Sequence, residues 1–289
     1  MKFSKRKLEI IDFVRFVGPI FILYFIFFLL PLTKTIRYSL TDWNGINPQV
    51  TFIGLKNYVD LFKDSLFYGS LRFTAITAII YTLLANVLGL FVALLLNRKI
   101  RSRNILRAVF FCPFIFNNVT VGFIWQFLLG RLMTDLYNMT GFGLFKLGWL
   151  SDKNLVVFTV VFVKLWQSVG YFMVIYLAGL QMIPESPIES ALLDGCNFFQ
   201  KNYYIVIPLM KPTIIANFFV GISETLNMFP LLMTLTNGGP GHASESITLY
   251  IYREAFKSYR MGYSSAMAVI LGIIVMAIAI LQMKLTKED

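Results

Sequence analysis

Two ionisable side chains, Lys164 and Glu224, interrupt segments of the sequence that are otherwise apolar. A charged side chain at the centre of a lipid bilayer costs about 2.5–3.5 kcal/mol even on the mildest scale, so each residue needs a partner. Each is a candidate partner for the other. Two interpretations remain open at this stage: a salt bridge that only stabilises the fold, or direct contact with a polar solute.

A mostly polar segment, residues 184–208, lies between two apolar segments. Its beginning, Ser186-Pro187-Ile188-Glu189, has the composition of a capping box with proline in the first helical turn. The apolar residues that follow share one helical face: Ile188, Ala191 and Leu192. Gly195 comes one turn later, so we predict a short amphipathic helix that ends at a glycine. Two apolar side chains come next and could anchor a contact: Phe198 and Phe199.

The sequence lacks the residue clusters of an enzyme active site. His242 is the only histidine, and the two cysteines, Cys112 and Cys196, lie in different segments, so we expect neither a metal site nor a disulfide framework. No G-x-x-x-x-G-K-[ST] phosphate loop is present. We therefore expect no enzymatic activity and no cofactor bound by this chain. The energy for any transport across a membrane must therefore come from another protein or from an ion gradient.

The composition is that of a membrane protein. Hydrophobic residues make up 57% of the 289 positions, charged residues make up 14%, and the mean hydropathy is +0.69. The net charge of +11 would suggest nucleic acid in a soluble protein, but the basic residues are dispersed between apolar segments. Membrane topology explains this distribution better, so we expect lipid and no nucleic acid as a partner.

The apolar segments predict an all-α integral membrane protein with six transmembrane helices in a single domain, residues 1–289. The predicted spans are residues 16–32, 73–96, 108–129, 155–183, 211–235 and 265–283. The fifth is interrupted by Glu224, Thr225 and Asn227, and interrupted spans are the best sequence indication of a transport site.

A basic N-terminal segment, residues 1–8, indicates a retained signal anchor. The basic cluster after span two indicates a cytoplasmic connection: Arg98, Lys99, Arg101, Arg103 and Arg107. Both termini are then cytoplasmic.

The polar segment also resembles a known signature. Glu189-Ser190-Ala191, Gly195 after three further residues, and Ile205-Val206-Ile207-Pro208 after nine more resemble the "EAA" motif of ABC-importer permeases. The chain departs from that pattern conservatively, at Ser190, Cys196 and Ile207. Other short stretches resemble the maltose and oligosaccharide branch of the same permeases: Thr41-Asp42-Trp43, Gly54-Leu55-Lys56-Asn57-Tyr58, Gly122-Phe123-Ile124-Trp125, Gly148-Trp149-Leu150, Ala178 to Pro184, Leu235 to Pro240 and Tyr250 to Phe256.

The resemblance implies the partners and the location of the protein. It implies a second permease subunit, two cytoplasmic ATPase subunits that bind ATP and magnesium, and an extracytoplasmic solute-binding protein, at a bacterial cell membrane. Residues 184–208 would form a coupling helix in a cleft of the ATPase, with Glu189 as the matching acidic residue. The candidate coupling residues are Glu189, Ser190, Ala191, Asp194, Gly195 and Phe198. An ordinary loop helix packed on its own domain is the alternative interpretation of this segment.

The resemblance further implies sugar import by alternating access. Aromatic faces stack on sugar rings, while amide and carboxylate groups bond to hydroxyls. The candidate solute pathway therefore consists of Lys164, Trp166, Tyr171, Glu224, Asn227 and Phe229. The same residue types also occur where helices pack together. The main alternative function is an ion-coupled secondary carrier, in which Lys164 and Glu224 would be the coupling pair.

Overall fold

The computed structural model describes residues 5–98 and 101–287, and the chain is helical over most of these ranges. We number the α-helices in chain order: α1 Lys5–Tyr24, α2 Leu30–Tyr38, α3 Lys56–Leu61, α4 Ser65–Leu96, α5 Arg103–Phe111, α6 Asn118–Gln126, α7 Met133–Thr140, α8 Leu155–Gln181, α9 Glu185–Leu193, α10 Phe198–Lys201, α11 Ile207–Leu209, α12 Lys211–Leu226, α13 Phe229–Leu235, α14 Ile247–Phe256 and α15 Met261–Lys287. Short 3-10 segments are Cys112–Ile115 and Gly143–Lys146, and π segments are Phe25–Leu29, Phe127–Leu132 and Asn202–Val206.

The predicted all-helical class is confirmed. Within the described ranges the only β-type pairing is an isolated bridge between Thr41 and Phe52. Four helical stretches are long and apolar enough to cross a bilayer: Phe13–Tyr38, Ser65–Leu96, Leu155–Gln181 and Met261–Lys284. Two further stretches are bent pairs: Arg103–Ile115 with Asn118–Thr140 at 92°, and Phe198–Leu209 with Lys211–Leu226 at 73°. The described part therefore has four candidate crossings, or six if each bent pair is one crossing, and six spans in one domain stay a prediction.

Two of the basic residues that predict the orientation lie next to helix ends. Arg98 follows the end of α4, and Arg103 is the first residue of α5. Both side chains are exposed. Lys2 of the basic N-terminal segment and Lys99 of the basic connection lie outside the described residues. The cytoplasmic location of this connection stays a prediction.

Main-chain contacts divide the chain into two compact units. The first comprises residues up to Asp64 together with Ile251–Ala277, and the second comprises Ser65–Tyr250 together with the residues from Ile278 onward. Helices α1 to α3 belong to the first unit, and α4 to α13 belong to the second. Every residue of the candidate solute pathway and of the candidate coupling segment lies in the second unit.

In the first unit, a buried asparagine fixes the connection between α2 and α3. The side-chain amide of Asn57 donates to the carbonyl oxygens of Ser39 and Thr41, at 2.9 and 2.8 Å. By contrast, the apolar side chains that the structure describes on α1, from Phe13 onward, are exposed, among them Phe16. Such a surface needs an apolar environment, which lipid or another transmembrane helix supplies.

In the second unit, α8 is the central helix and packs along α4. Tyr81 of α4 contacts Phe172 of α8 edge to face, with ring centroids 6.3 Å apart. One apolar core surrounds this contact and includes Tyr81, Val121, Val160, Phe172 and Leu231. A second core includes Ala93, Met173, Tyr176, Leu177, Val206 and Met210. The second core connects α8 to the chain that follows the predicted coupling segment.

Glycines allow the helices around α8 to approach closely. A Cβ atom on Gly170 would lie 2.0 Å from the carbonyl oxygen of Phe110 and 2.7 Å from the Cα atom of Phe111. A Cβ atom on Gly89 of α4 would lie 2.6 Å from the Cβ atom of Phe172. Because the obstacle at Gly170 is backbone, no side-chain rotation could relieve the clash. Small residues serve the same purpose at many membrane-helix interfaces.

We therefore expect Gly170→Ala to lower the free energy of unfolding by about 1–3 kcal/mol, the usual cost of overpacking. Gly69→Ala is the matched control, because Gly69 lies in α4 with nothing within 4 Å of an added Cβ atom. The control should be neutral or stabilising, by up to about 1 kcal/mol, since alanine is the better helix former. Denaturant unfolding in mixed micelles measures both variants. Equal stability of the two would contradict the close packing at Gly170.

Candidate functional site

The ammonium group of Lys164 is the centre of a polar cluster. Lys164 lies in the middle of α8, and only 1% of the residue is exposed. Its Nζ atom is 2.7 Å from Oε2 of Glu224, 3.2 Å from Oε1 of Gln167 and 3.4 Å from Oδ1 of Asn118. A lysine has three donors, and each has an oxygen partner here. The two ionisable residues singled out in the sequence therefore do pair.

The polar side chains of α8 share one face. Lys164, Gln167, Ser168 and Tyr171 follow the spacing i, i+3, i+4 and i+7, which places them above one another on a helix. The hydroxyl of Ser168 donates to the carbonyl oxygen of Lys164 at 2.7 Å and accepts from the hydroxyl of Tyr81 at 2.8 Å. This face of α8 is thus held by hydrogen bonds to its own backbone and to α4.

The bend before α6 depends on the same cluster. Gln167 donates from Nε2 to the carbonyl oxygen of Phe116 at 2.9 Å. Asn117 caps α6, because its side-chain oxygen accepts from the backbone N–H of Val119 at 3.0 Å. A break in a membrane helix frees backbone groups that have no partner in lipid. The amide of Gln167 supplies such a partner from the neighbouring helix.

The interruption between α12 and α13 also contacts the cluster. It lies where the sequence predicts an interrupted segment, around Glu224 and Asn227. Asn118 donates from Nδ2 to the carbonyl oxygen of Asn227, at a long 3.5 Å. Glu224, near the end of α12, reaches Lys164 of α8. The cluster therefore joins both helix breaks to α8.

Trp166 does not belong to this cluster. It lies on another face of α8, where it contacts Trp125 edge to face with ring centroids 5.4 Å apart. It also lines an apolar recess of about 420 Å³ formed by residues of α4, α5 and α8. The structure therefore does not bring Trp166 together with Lys164 and Glu224, because residues two positions apart point about 200° apart on a helix, and its place in the solute pathway stays a prediction.

The other predicted pathway residues lie closer to the breaks. Tyr171 shares the polar face of α8 and stacks on Phe114 of the bend, with ring centroids 4.5 Å apart. Asn227 is exposed between α12 and α13, and Phe229 begins α13 and packs against the first core. Their contact with a solute stays a prediction.

Sequence reasoning missed two members of the cluster, Gln167 and Asn118. Both are amides inside apolar segments, and that was the available signal, since a polar group at membrane depth must face protein or water. The i, i+3 spacing of Lys164 and Gln167 on α8 could have indicated their contact, whereas the contact between Asn118 and Lys164 could not be read from spacing, because these two residues belong to different helices. Among the side chains that the structure describes, no group of three histidines, cysteines or carboxylates could hold a metal ion.

Helix α9 lies in the predicted coupling segment, residues 184–208. It begins at Glu185, so Ser186 lies inside the helix and its carbonyl oxygen accepts from the hydroxyl of Ser190 at 3.0 Å. The predicted capping box at Ser186 is therefore wrong. The reciprocal cap forms later, where Asn197 and Gln200 each accept the other's backbone N–H at 2.9 Å. Asparagine caps helices as well as serine does, so this start signal was equally available.

The predicted glycine end of α9 is confirmed. Gly195 has φ +78°, the left-handed conformation that glycine adopts without cost. The N–H of Cys196 donates to the carbonyl oxygen of Ala191 at 3.0 Å, and the N–H of Asp194 donates to that of Ser190 at 3.0 Å. The bond from Cys196 back to Ala191 is the longer-range bond of a Schellman ending.

The two faces of α9 differ as an amphipathic helix requires. Ala191 is buried and Ile188 is half-buried, whereas the side chain of Leu192 lies outside the described residues. Glu189 is exposed, and so is Leu193, at 89%. The outward face therefore offers a carboxylate and an apolar side chain for contact with another molecule.

The two phenylalanines after α9 differ in their contacts and in their exposure. Phe198 faces its own chain, where the guanidinium of Arg98 lies 4.1 Å from its ring centroid. It lines a recess of about 380 Å³ together with Ile188 and Lys201. Phe199 is 81% exposed. The sequence predicted that both rings could anchor a contact with another molecule. Only the ring of Phe199 is exposed enough to do so.

Replacing one member of the Lys164–Glu224 pair should destabilise the protein strongly. Glu224→Met leaves a buried ammonium without its counter-charge, and breaking a buried pair typically costs about 3–5 kcal/mol. Lys164→Met should cost less, because the side chain of Glu224 is 27% exposed. The double variant should cost clearly less than the sum, since it leaves no uncompensated charge. Thermal unfolding in nanodiscs measures the cycle, and additive effects would contradict the pairing.

Removing Phe198 should loosen α9 from the rest of the second unit. We expect Phe198→Ala to speed amide hydrogen exchange of Glu185–Leu193, because the contact with Arg98 is lost. Phe199→Ala is the matched control and should have the smaller effect, since its ring is 81% exposed and loses only its edge-to-face contact with Phe198, with centroids 5.7 Å apart. Exchange followed by mass spectrometry decides between the two. The assignment fails if Phe199→Ala has the larger effect.

Two solved structures share the fold of this chain. The chain is similar to one from a bacterial ABC transporter that imports the acidic polysaccharide alginate, with a TM-score of 0.82, 19% identity and coverage of 98% of this chain and 99% of that one. The second, from a bacterial alginate ABC transporter in complex with an alginate pentasaccharide-bound periplasmic protein, gives a TM-score of 0.80, 20% identity and coverage of 96% and 97%.

Three related proteins align with nearly the whole chain. The probable starch degradation products transport system permease protein AmyD of Thermoanaerobacterium thermosulfurigenes is 38% identical, over 94% of this chain and 93% of its own length. The multiple sugar-binding transport system permease protein MsmF of Streptococcus mutans is 33% identical over 92% of each. The trehalose/maltose transport system permease protein MalF of Thermococcus litoralis is 29% identical, over 92% and 90%.

The family comparison covers both regions described above. Residues 85–287 match the model of the binding-protein-dependent transport system inner membrane component. This range contains Lys164, Glu224 and the whole of α9. With this match and the 38% identical relative, the chain belongs to the family of binding-protein-dependent transport system inner membrane components, the membrane permeases of such systems.

Proposed function

We propose that this chain is a transmembrane permease subunit of an ATP-driven ABC importer for sugars, with oligosaccharides as the expected class. The observation that carries the proposal is α9, a glycine-terminated helix with an exposed carboxylate and leucine, within a chain of this family. The names of three relatives refer to starch degradation products, to multiple sugars and to trehalose or maltose. These names support sugars as the solute class.

The proposed complex contains four further proteins. A second permease subunit would complete the membrane part, two cytoplasmic ATPase subunits would bind ATP and magnesium, and an extracytoplasmic protein would deliver the solute. The family description names a binding-protein-dependent system, and the alginate complex contains a periplasmic protein. The exposed apolar side chains of α1 support a membrane neighbour, lipid or protein.

The proposed mechanism is alternating access driven through α9. ATP closes the ATPase pair, Glu189 and its neighbours on α9 follow that movement, and the membrane helices open to the outside. Hydrolysis resets them. The second core supports this route, because Val206 and Met210, which follow α9, pack with Met173 and Tyr176 of α8. α8 in turn carries Lys164.

The proposed solute contacts lie at the helix breaks. Glu224 and Asn227 would accept and donate hydrogen bonds to sugar hydroxyls, and Tyr171 and Phe229 would offer aromatic surface. Lys164 would act mainly by fixing Glu224. Trp166 has no part in this proposal, because its ring lies in the apolar recess.

The proposed location is the cell membrane, with α9 and both termini in the cytoplasm. The basic residues around Arg98 and Arg103 support this orientation, because cytoplasmic loops are rich in lysine and arginine. The same orientation puts α9 where an ATPase could reach it.

The alternative is an ion-coupled secondary carrier, and the buried pair of Lys164 and Glu224 is the observation that favours it. Titratable pairs at membrane depth often couple transport to an ion gradient. Uptake by such a carrier would collapse with the ion gradient and would be unaffected by loss of any ATPase. Family membership weighs against it.

The test is purification of the tagged native chain in mild detergent, with identification of the proteins that come with it. We expect an ATPase and a second permease. Glu189→Arg should lose the ATPase and keep the permease, because an exposed carboxylate on α9 becomes a cation. Asp135→Arg is the matched control: it makes the same charge change at an exposed residue of α7, on the opposite side of the membrane in the proposed topology.

Two outcomes would contradict this proposal. If the native chain is recovered alone, it is not a subunit of an ATP-driven importer, and the secondary carrier becomes the better model. If Glu189→Arg retains the ATPase as well as Asp135→Arg does, α9 is not the element that binds it.

A further inference from the structure

The charge balance of the Lys164 cluster limits the kind of solute that it can hold. Lys164 is buried, and its three donors point to the oxygens of Glu224, Gln167 and Asn118, at 2.7, 3.2 and 3.4 Å. No donor of this ammonium remains for a solute. A phosphate or a carboxylate entering here would therefore meet no available cation from Lys164.

The group that faces outward from the cluster is the carboxylate. The side chain of Glu224 is 27% exposed, against 2% for that of Lys164. An ionised carboxylate is an acceptor only, so it binds the hydroxyl groups of a sugar and repels an anion. Asn117 and Asn227, which are exposed at the two helix breaks, add neutral amides to the same region.

Other cations lie far along the same helices. Lys211 begins α12, whereas Glu224 lies in its last turn, about 20 Å away at 1.5 Å per residue. Arg131 is equally far along the helix from Asn118. Neither residue could form an ion pair with a second negative charge beside Glu224, because a partner within about 4 Å is needed for that.

We propose that this site accepts uncharged saccharides and rejects anionic ones, such as uronic acids and sugar phosphates, and that Glu224 sets this selectivity. The proposal rests on the proposed function, because it names the solute class of that same site. A neutral saccharide donates its hydroxyls to Glu224 and exchanges hydrogen bonds with the amides. An anionic saccharide loses those bonds and is repelled by the carboxylate.

The test uses the complete membrane complex with its ATPases in nanodiscs. The solute-binding protein is left out, so that the measured selectivity is that of the membrane complex alone. The probes are neutral maltotriose, raffinose and chitotriose, and anionic trigalacturonate and trehalose 6-phosphate. Titration calorimetry at neutral pH gives each dissociation constant. We expect the best neutral probe to bind about tenfold or more tightly than either anionic probe, since like charges in contact cost at least 1.4 kcal/mol.

Two variants separate the role of charge from that of shape. Glu224→Gln keeps the size of the side chain but removes the repulsion and frees the charge of Lys164, so the preference for neutral probes should fall about tenfold. Adding Lys164→Met to Glu224→Gln should remove the gained attraction for anions. Glu254→Gln is the matched control, a paired carboxylate outside the second unit, and should leave the preference unchanged.

Three results would overturn the proposal. One is native binding of an anionic probe as tight as that of the best neutral probe, and another is an unchanged preference in Glu224→Gln. The third is a native complex that retains its ATPases but binds none of the neutral probes, which leaves the importer function standing. Loss of the ATPases from the native complex is a different result, because it contradicts the proposed function itself.

Discussion

The ammonium group of Lys164 is the point on which the second unit depends. A lysine charge in an apolar core needs a counter-charge and full hydrogen bonding, and a broken membrane helix needs partners for its freed backbone groups. One cluster meets both needs. Glu224 neutralises the charge, while the two amides that accept from Lys164 also donate to carbonyl oxygens at the bend before α6 and at the break after α12. The same residues therefore stabilise both the buried charge of Lys164 and the two helix breaks.

Helix α8 connects this cluster to the chain that follows α9. Lys164 lies near its middle, and the half of the helix beyond it packs with Val206 and Met210, which follow α9. The separation from Lys164 to the end of α8 at Gln181 is about 25 Å. A single rigid helix thus links a polar site at membrane depth with an exposed amphipathic helix. Close contacts at glycines such as Gly170 leave little room for α8 to move independently of α5.

Membership of the permease family gives this arrangement a purpose. A permease needs irregular backbone where a solute passes, and at each of the two helix breaks, before α6 and after α12, a side-chain amide donates to a carbonyl oxygen. Helix α9 presents Glu189 and Leu193 outward while Ala191 faces inward. The exposed apolar surface of α1 is likewise suited to a chain that works inside a membrane assembly.

The sequence by itself determined the helical membrane class, the interruption near Glu224, and a short helix ended by Gly195, because hydropathy, breaks in apolar runs and glycine after an amphipathic turn are local properties. It misplaced the cap at Ser186, because α9 already begins at Glu185, and the reciprocal cap that forms belongs to α10. Only the tertiary structure decided that Lys164 and Glu224 pair, that Asn118 joins them and that Phe198 is used within the chain. These facts depend on which helices are neighbours and how each is rotated, and side-chain spacing along one helix carries no information about either.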